Sequence, residues 1–422
     1  MHNTKKYNNN QPLHFKKKTN RKTKKKQKKT KSIILPNNTP KDVDFLTQQI
    51  SRNVIQNENE NENDIGKGIV PALFSPNVSS YAPTINKDLV SLKSIERQNV
   101  SDCNNNLAFE LKAPLQIGIS RKLFGETCVP YYDPLAIKFL LKNLSANKHV
   151  DPSKIVPPVQ NMSNCWFNTM FVVLFVSDKG RKFFHFFRQL MIEGMQSNKK
   201  QIPPDIRNGL ALLNYSIDAC LTGNKYAYML DTNSIIKTIY EAIPKNYKNK
   251  LAYITDVNKA GNPIKYYGSL IYYLNNKSLQ LLYISQISSQ WKDMVLQEIT
   301  KERHLPHCIV LELYDGSNKD PGMSGTVINK PRSFLIRGAK YSLDSCVIRD
   351  TTQQHFSANL TCENKEMAYD GMSYHRLVPM EWKKYINSDY SWQFKGSNNS
   401  DGSPLKWNFL HGYQMLIYYR VK

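Results

Sequence analysis

Cys165 is the residue best placed for covalent chemistry. It stands in Gln160-Asn161-Met162-Ser163-Asn164-Cys165-Trp166-Phe167-Asn168-Thr169, where polar text gives way to an almost continuous apolar run over 164–176. Ser163 or Asn164 can cap a helix there, which sets Cys165 in its first turn. Unpaired N–H groups and the positive end of the helix dipole then favour a thiolate over a thiol, and the thiolate is the form that attacks a carbonyl. An arbitrary cysteine in an apolar run is a small buried packing residue. The capping residues before this one and the aromatic after it set it apart. Gln160 or Asn161, just upstream, carries an amide that can act as an oxyanion donor beside the Cys165 N–H.

Such a thiolate needs a base. Among nine histidines, His2 and His14 lie in a Lys/Asn tract, His149 in a linker region, and His185 among helix aromatics. His304 and His307 flank a strand start, while His375 and His411 fall in loops. His355 differs in its setting. One strand ends near Asp350, a short polar loop follows, and His355 opens the next strand with Ser357 and Ala358 leaving room around the ring. A loop over 361–365 returns the chain as Glu366 to Asp370. With that loop centred near 363, antiparallel pairing sets His355 opposite 370–371, so that Asp370 can hold the imidazole in its proton-accepting tautomer. A two-residue turn at Asn364-Lys365 would break that alignment. Asp370-Gly371 alone also reads as an ordinary turn.

The elements that must position these residues fall into two kinds. Helical patterns occupy 164–176, 181–195 (aromatics at helical spacing), 204–222 and 232–243. Strand patterns occupy 266–274, 279–284, 307–314, 333–337, 341–349, 354–361, 366–369 and 412–420, rich in Tyr, Ile, Val and Leu and separated by Gly, Asn, Asp or Pro. Helices first and an antiparallel sheet second make an α+β architecture. Ahead of it, 1–66 reads as a disordered basic tail with an Asn/Glu linker at 57–64. Residues 67–155 read as an extension packing on the main domain, and Pro152, Pro157 and Pro158 mark the start of the domain at 156–422.

Composition narrows the classes further. Of 58 Lys+Arg, thirteen fall within residues 1–32, which hold no acid. That tract suits a nuclear address or a grip on nucleic acid or another polyanion. The seven cysteines (Cys103, Cys128, Cys165, Cys220, Cys308, Cys346, Cys362) contain no CxxC pair, so no zinc knuckle or thioredoxin-like site is present. Their odd number and scatter point to a reducing compartment, with most of the thiols buried. No signal-peptide region and no run of about 18 apolar residues appears, so an intracellular chain without a membrane partner is expected.

Taken together, the segments resemble the ubiquitin-specific protease family of papain-like cysteine peptidases. The family's cysteine box, Asn-Thr-Cys-Tyr-Met-Asn-Ser, is similar to Ser163-Asn164-Cys165-Trp166-Phe167-Asn168-Thr169. Its histidine box is similar, in order, to Tyr341-Ser342-Leu343, His355-Phe356-Ser357-Ala358, Tyr369-Asp370 and the run from Gly412 through Tyr413 to Arg420. The strand from Leu305 to Leu313 matches the one ahead of that box. The likeness spans roughly 156–422 and implies a helical lobe carrying the Cys helix packed on an antiparallel sheet lobe. It further implies a Cys165–His355–Asp370 triad, no metal or organic cofactor, and ubiquitin or ubiquitin-like conjugates as substrates. Gln354 stands where the family has glycine, Arg349-Asp350-Thr351-Thr352 replaces its His-x-Gly turn, and its zinc-binding cysteine pairs are absent. Gln160 occupies the place of the family's oxyanion Asn. The Asn/Lys-rich composition fits the compact relatives that large DNA viruses encode, with a virion location as a further option. Two alternatives stand beside this reading: a protease of non-ubiquitin precursors, and a non-catalytic virion or nucleic-acid-binding module on the same fold.

Overall fold

The computed structural model describes residues 33–34 and 103–422, apart from 105, 122–124, 147–148, 197, 251–252, 275–280, 285–289, 314–328 and 353. The basic tract 1–32 and the linker at 57–64 lie outside the described residues.

The strand signals converge on one sheet. Its order is Ile33–Ile34, Leu281–Ile284, Cys308–Leu313, Gln414–Arg420, Ala339–Arg349, Phe356–Cys362, Lys365–Tyr369 and Leu377–Pro379, with Ser333–Ile336 paired to the start of the Ala339–Arg349 strand. All neighbours run antiparallel except Leu281–Ile284 beside Cys308–Leu313. In the strand furthest along the chain, Met415, Ile417 and Tyr419 enter one apolar cluster and Leu416 and Tyr418 the other. The two-residue period thus buries both faces of the sheet, and its central strands read as continuous apolar runs.

One face is covered by helices. The Cys165–Phe175 helix is buried along its whole length and lies against the Ala339–Arg349 and Phe356–Cys362 strands. Pro204–Thr222, Thr232–Ala242 and Pro263–Tyr273 enclose it from outside. Trp382, Trp407 and Phe409 cover the other face. A helical face packed on a largely antiparallel sheet makes the architecture α+β. Residues of 103–155, among them Phe109, Ile117, Tyr131 and Leu140, join the same apolar cluster as Phe167 and Phe171. Among the described residues no helix is long and apolar enough to cross a membrane.

Several expected elements differ. The tyrosine-rich stretch 266–274 is helix, not strand. Asn262 caps it by accepting from the Lys265 N–H (3.0 Å), Pro263 opens it, and Tyr266, Tyr267, Leu270, Ile271 and Leu274 bury one helical face. Capping and periodicity override the β-propensity of tyrosine here. The helix expected over 181–195 is two, Asp178–Phe183 and His185–Glu193, broken at Phe184. Two cysteines are not free: Cys103 and Cys128 form a disulfide, while Cys165, Cys220, Cys308, Cys346 and Cys362 are unbonded and buried.

Candidate active site

Cys165 opens its helix as its sequence suggests, but the cap is built differently. Asn164 occupies the N-cap position without a side-chain cap bond. Its Oδ1 instead accepts from Asn161 N–H (3.1 Å) and Asn168 Nδ2 (3.2 Å), and its Nδ2 donates to Thr232 Oγ1 (2.9 Å). Thr232 Oγ1 donates in turn to Asn168 Oδ1 (2.7 Å), and Asn168 Nδ2 reaches Val159 O (3.0 Å). Asn164, Asn168 and Thr232 are buried, so this closed amide–hydroxyl network fixes the mouth of the Cys helix to the start of the Thr232–Ala242 helix and to the incoming chain. Among the described hydrogen bonds no side chain caps the first turn, where Cys165 sits, and Phe167 N–H turns back to Asn164 O (3.0 Å).

His355 is set by a carboxylate that the sequence reading passed over. Asp350 is buried, and it accepts from Thr352 N–H (2.9 Å), the Thr352 hydroxyl, Gln354 N–H (2.9 Å) and His355 N–H (2.7 Å). Its own N–H donates to His355 O (2.9 Å). Thus a saturated carboxylate, rather than a glycine turn, aims the backbone into His355.

The hairpin beyond His355 is tighter than expected. Pairing continues to Cys362 opposite Lys365, and the turn is Glu363-Asn364 alone, at φ 47° and 62°. Continuing that register would place His355 across from Met372. The paired strand ends at Tyr369 instead, and Asp370 folds back so that His355 Nε2–H donates to Asp370 Oδ1. Asp370 is fully buried, and its Oδ2 accepts from the Ser397 hydroxyl. With Nε2 engaged, Nδ1 is the imidazole's other nitrogen, and Cys165 is near enough to act on the ring's charge. Burial by itself pulls the imidazole's pKa down, but Asp370 and Cys165 outweigh it and raise the ring to about 10. The Trp407 indole meets the imidazole edge-on, with centroids 5.8 Å apart.

Gln160 and Asn161 differ in their anchorage. Gln160 N–H donates to Gly371 O (2.9 Å), next to Asp370, and its side-chain Nε2 donates to Met162 O (3.2 Å). A Cβ on Gly371 would come within 3.1 Å of the Gln160 backbone nitrogen and Cβ, so glycine is what lets these two segments touch. Asn161 is exposed and is held through its backbone by Asn164 and Asn233. Across the Cys helix, the Trp166 ring lies directly on Gly261. Exposed Met162, Tyr228 and Tyr374 flank these segments (64%, 66% and 73% accessible), a feature that no periodicity could have announced.

No family model and no curated protein matches the chain. Among solved structures it is similar to an essential yeast splicing factor at 9% identity and a TM-score of 0.35, over 72% of this chain and 84% of that one. It is similar to the SAGA DUB module Ubp8/Sgf11/Sus1/Sgf73 bound to monoubiquitin at 7% identity and 0.37, over 83% and 100%. The same kind of module bound to ubiquitin aldehyde aligns at 10% identity and 0.34, over 64% and 70%.

Proposed function

We propose that the chain is a thiol-dependent hydrolase of the deubiquitinating kind, cleaving isopeptide or peptide bonds through Cys165, His355 and Asp370. One observation carries the reading. The buried His355 imidazole is held through Nε2 by the fully buried Asp370 carboxylate, and Cys165, at the start of a buried helix, is among the groups that shift the ring's pKa. In the proposed reaction Cys165 reacts as a thiolate beside the already protonated His355 ring, and its sulfur bonds to the substrate carbonyl carbon. The Cys165 N–H and the Gln160 amide steady the oxyanion once Nε2 leaves Met162 O. As the C–N bond breaks, His355 gives its proton to the departing amine. Water, deprotonated by His355, then opens the thioester and restores the thiol. Asp370 fixes the ring and balances the imidazolium charge. Gln160 is favoured over Asn161 because its tie to Gly371 places it beside Asp370.

Ubiquitin-like conjugates are favoured by the order of the cysteine and histidine boxes. The test is labelling of the full chain by ubiquitin bearing a C-terminal electrophile, beside Cys165→Ala and His355→Ala. An adduct on the parent at Cys165, abolished in both variants, is the expected outcome. Reaction of Cys165 with a small thiol electrophile only would retain the hydrolase and discard ubiquitin. A Cys165 no more reactive than buried Cys220 or Cys308 would end the catalytic reading.

A further inference from the structure

The candidate triad has a neighbour that its three members do not explain. Asp370 is fully buried, so water cannot complete the shell of its carboxylate. Oδ1 takes the imidazole Nε2–H and, more loosely, Met372 N–H (3.3 Å). Oδ2 takes only the Ser397 hydroxyl among the described hydrogen bonds. Ser397 is itself fully buried and is held by its backbone: its N–H donates to Phe394 O (3.2 Å), and its carbonyl accepts from Leu405 N–H (3.0 Å).

Both ends of this segment come back to the same pair. Residues 398–404 form a largely exposed excursion closed by the Asn398–Pro404 bridge. Before it stands Ser397, on Asp370. After it comes Trp407, whose indole meets His355, and Lys406 O accepts from Thr351 N–H (2.8 Å) in the His355 turn. Lys395 O accepts from Tyr374 N–H (3.0 Å) and the Ser373 hydroxyl (3.2 Å), closing the loop that follows Asp370.

We infer that Ser397 is a positioning residue for the proposed reaction, fixing the Asp370 carboxylate so that one oxygen stays on His355, with 394–407 as the clasp that delivers it. This rests on the triad reading, and the physics is simple. A carboxylate with one oxygen tied can still rotate; with both oxygens tied to different segments it cannot. A hydrogen bond to a buried charge is among the stronger ones.

The experiment follows Ser397→Ala, and Ser397→Cys (similar size, weaker donor), by NMR titration of the His355 ring and by the rate of Cys165 alkylation with iodoacetamide. The ring sees Cys165 and Asp370, and Asp350 takes its backbone N–H. In Ser397→Ala the ring is expected to titrate well below the parent's value of about 10, with Ser397→Cys between. Alkylation at neutral pH should slow by about tenfold or more. In an Asp370→Asn background the same Ser397 change should add almost nothing, which separates positioning from a packing role. An unchanged ring titration in both variants, or an equal loss with and without Asp370, would overturn the clasp. A parent inert to the ubiquitin probe but with a Ser397-dependent His355 titration would remove the substrate reading and leave the clasp standing.

Discussion

At the scale of single residues, the chain solves one problem twice: how to hold a charged group where water cannot reach it. Asp350 and Asp370 are both buried carboxylates, and each is surrounded by donors, the first to set His355 in place and the second to hold its ring. The His355 pair makes a pH prediction. Its pKa is raised on folding, so the stability it supplies is complete below the usual 6.5 and is lost as pH rises through about 10. Unfolding in urea at pH 6 and pH 10 should therefore show a larger loss for the parent than for Asp370→Asn. Taking the difference between the two proteins matters because Lys330, which burial holds down at about 8, acts in the opposite sense over part of that window. Cys165, His355 and Asp370 were singled out from local patterns, a polar-to-apolar edge, a strand start and a strand end, and of the three the described hydrogen bonds join His355 to Asp370, though not through the expected register. Asp350, Thr232 and Ser397 were not singled out. Their partners are fixed by tertiary geometry, and a lone Asp, Thr or Ser in a loop carries no periodicity.

At the scale of elements, the hairpin that ends in Glu363-Asn364 links the candidate site to the helical face. Asp178 accepts from Glu363 N–H (2.8 Å) and Asn364 N–H (3.2 Å), and the Glu363 carboxylate takes Arg181, His149 (2.7 Å) and Val150 N–H (3.2 Å). The turn far from His355 is thereby clamped, and the register that delivers Asp370 is fixed from the opposite end. Glu363→Ala leaves buried Arg181 with Asp178 alone among these carboxylates, and should cost about 3 kcal/mol by chemical denaturation. Asn364→Gly, which suits the positive φ, should cost far less. A loop was expected over 361–365 where the turn is Glu363-Asn364 alone, and a strand over 266–274 where a helix forms, for related reasons. Both depend on a local cap or turn pinned by a distant side chain or face, while the long apolar strands needed only their own period.

At the scale of the whole molecule, the described extension is part of the structure rather than an appendage. Its hairpin Gln116–Arg121 and Gly125–Pro130 and its helix Pro134–Ala146 pack on the main core, and Cys103–Cys128 ties the segment before the hairpin to it. A closed loop of this size stabilises by about 3 kcal/mol. Reduction, or Cys103→Ser with Cys128→Ser, should lower the melting temperature while leaving Cys165 as reactive as before, since none of the described hydrogen bonds around His355 and Asp370 involves the disulfide. A site that lost reactivity on reduction would show instead that the extension is coupled to it.

The sheet's topology has a consequence for how the molecule comes into being. The Gln414–Arg420 strand lies between Cys308–Leu313 and Ala339–Arg349, in the middle of the sheet. On a ribosome, Cys165 emerges early and is followed much later by His355, Asp370, the clasp and this strand. The sheet that carries His355 cannot close until its central strand has been delivered. On the function proposed above, the nascent chain therefore carries its nucleophile without its base, and the bond it would cut is safe from it until that strand has been delivered.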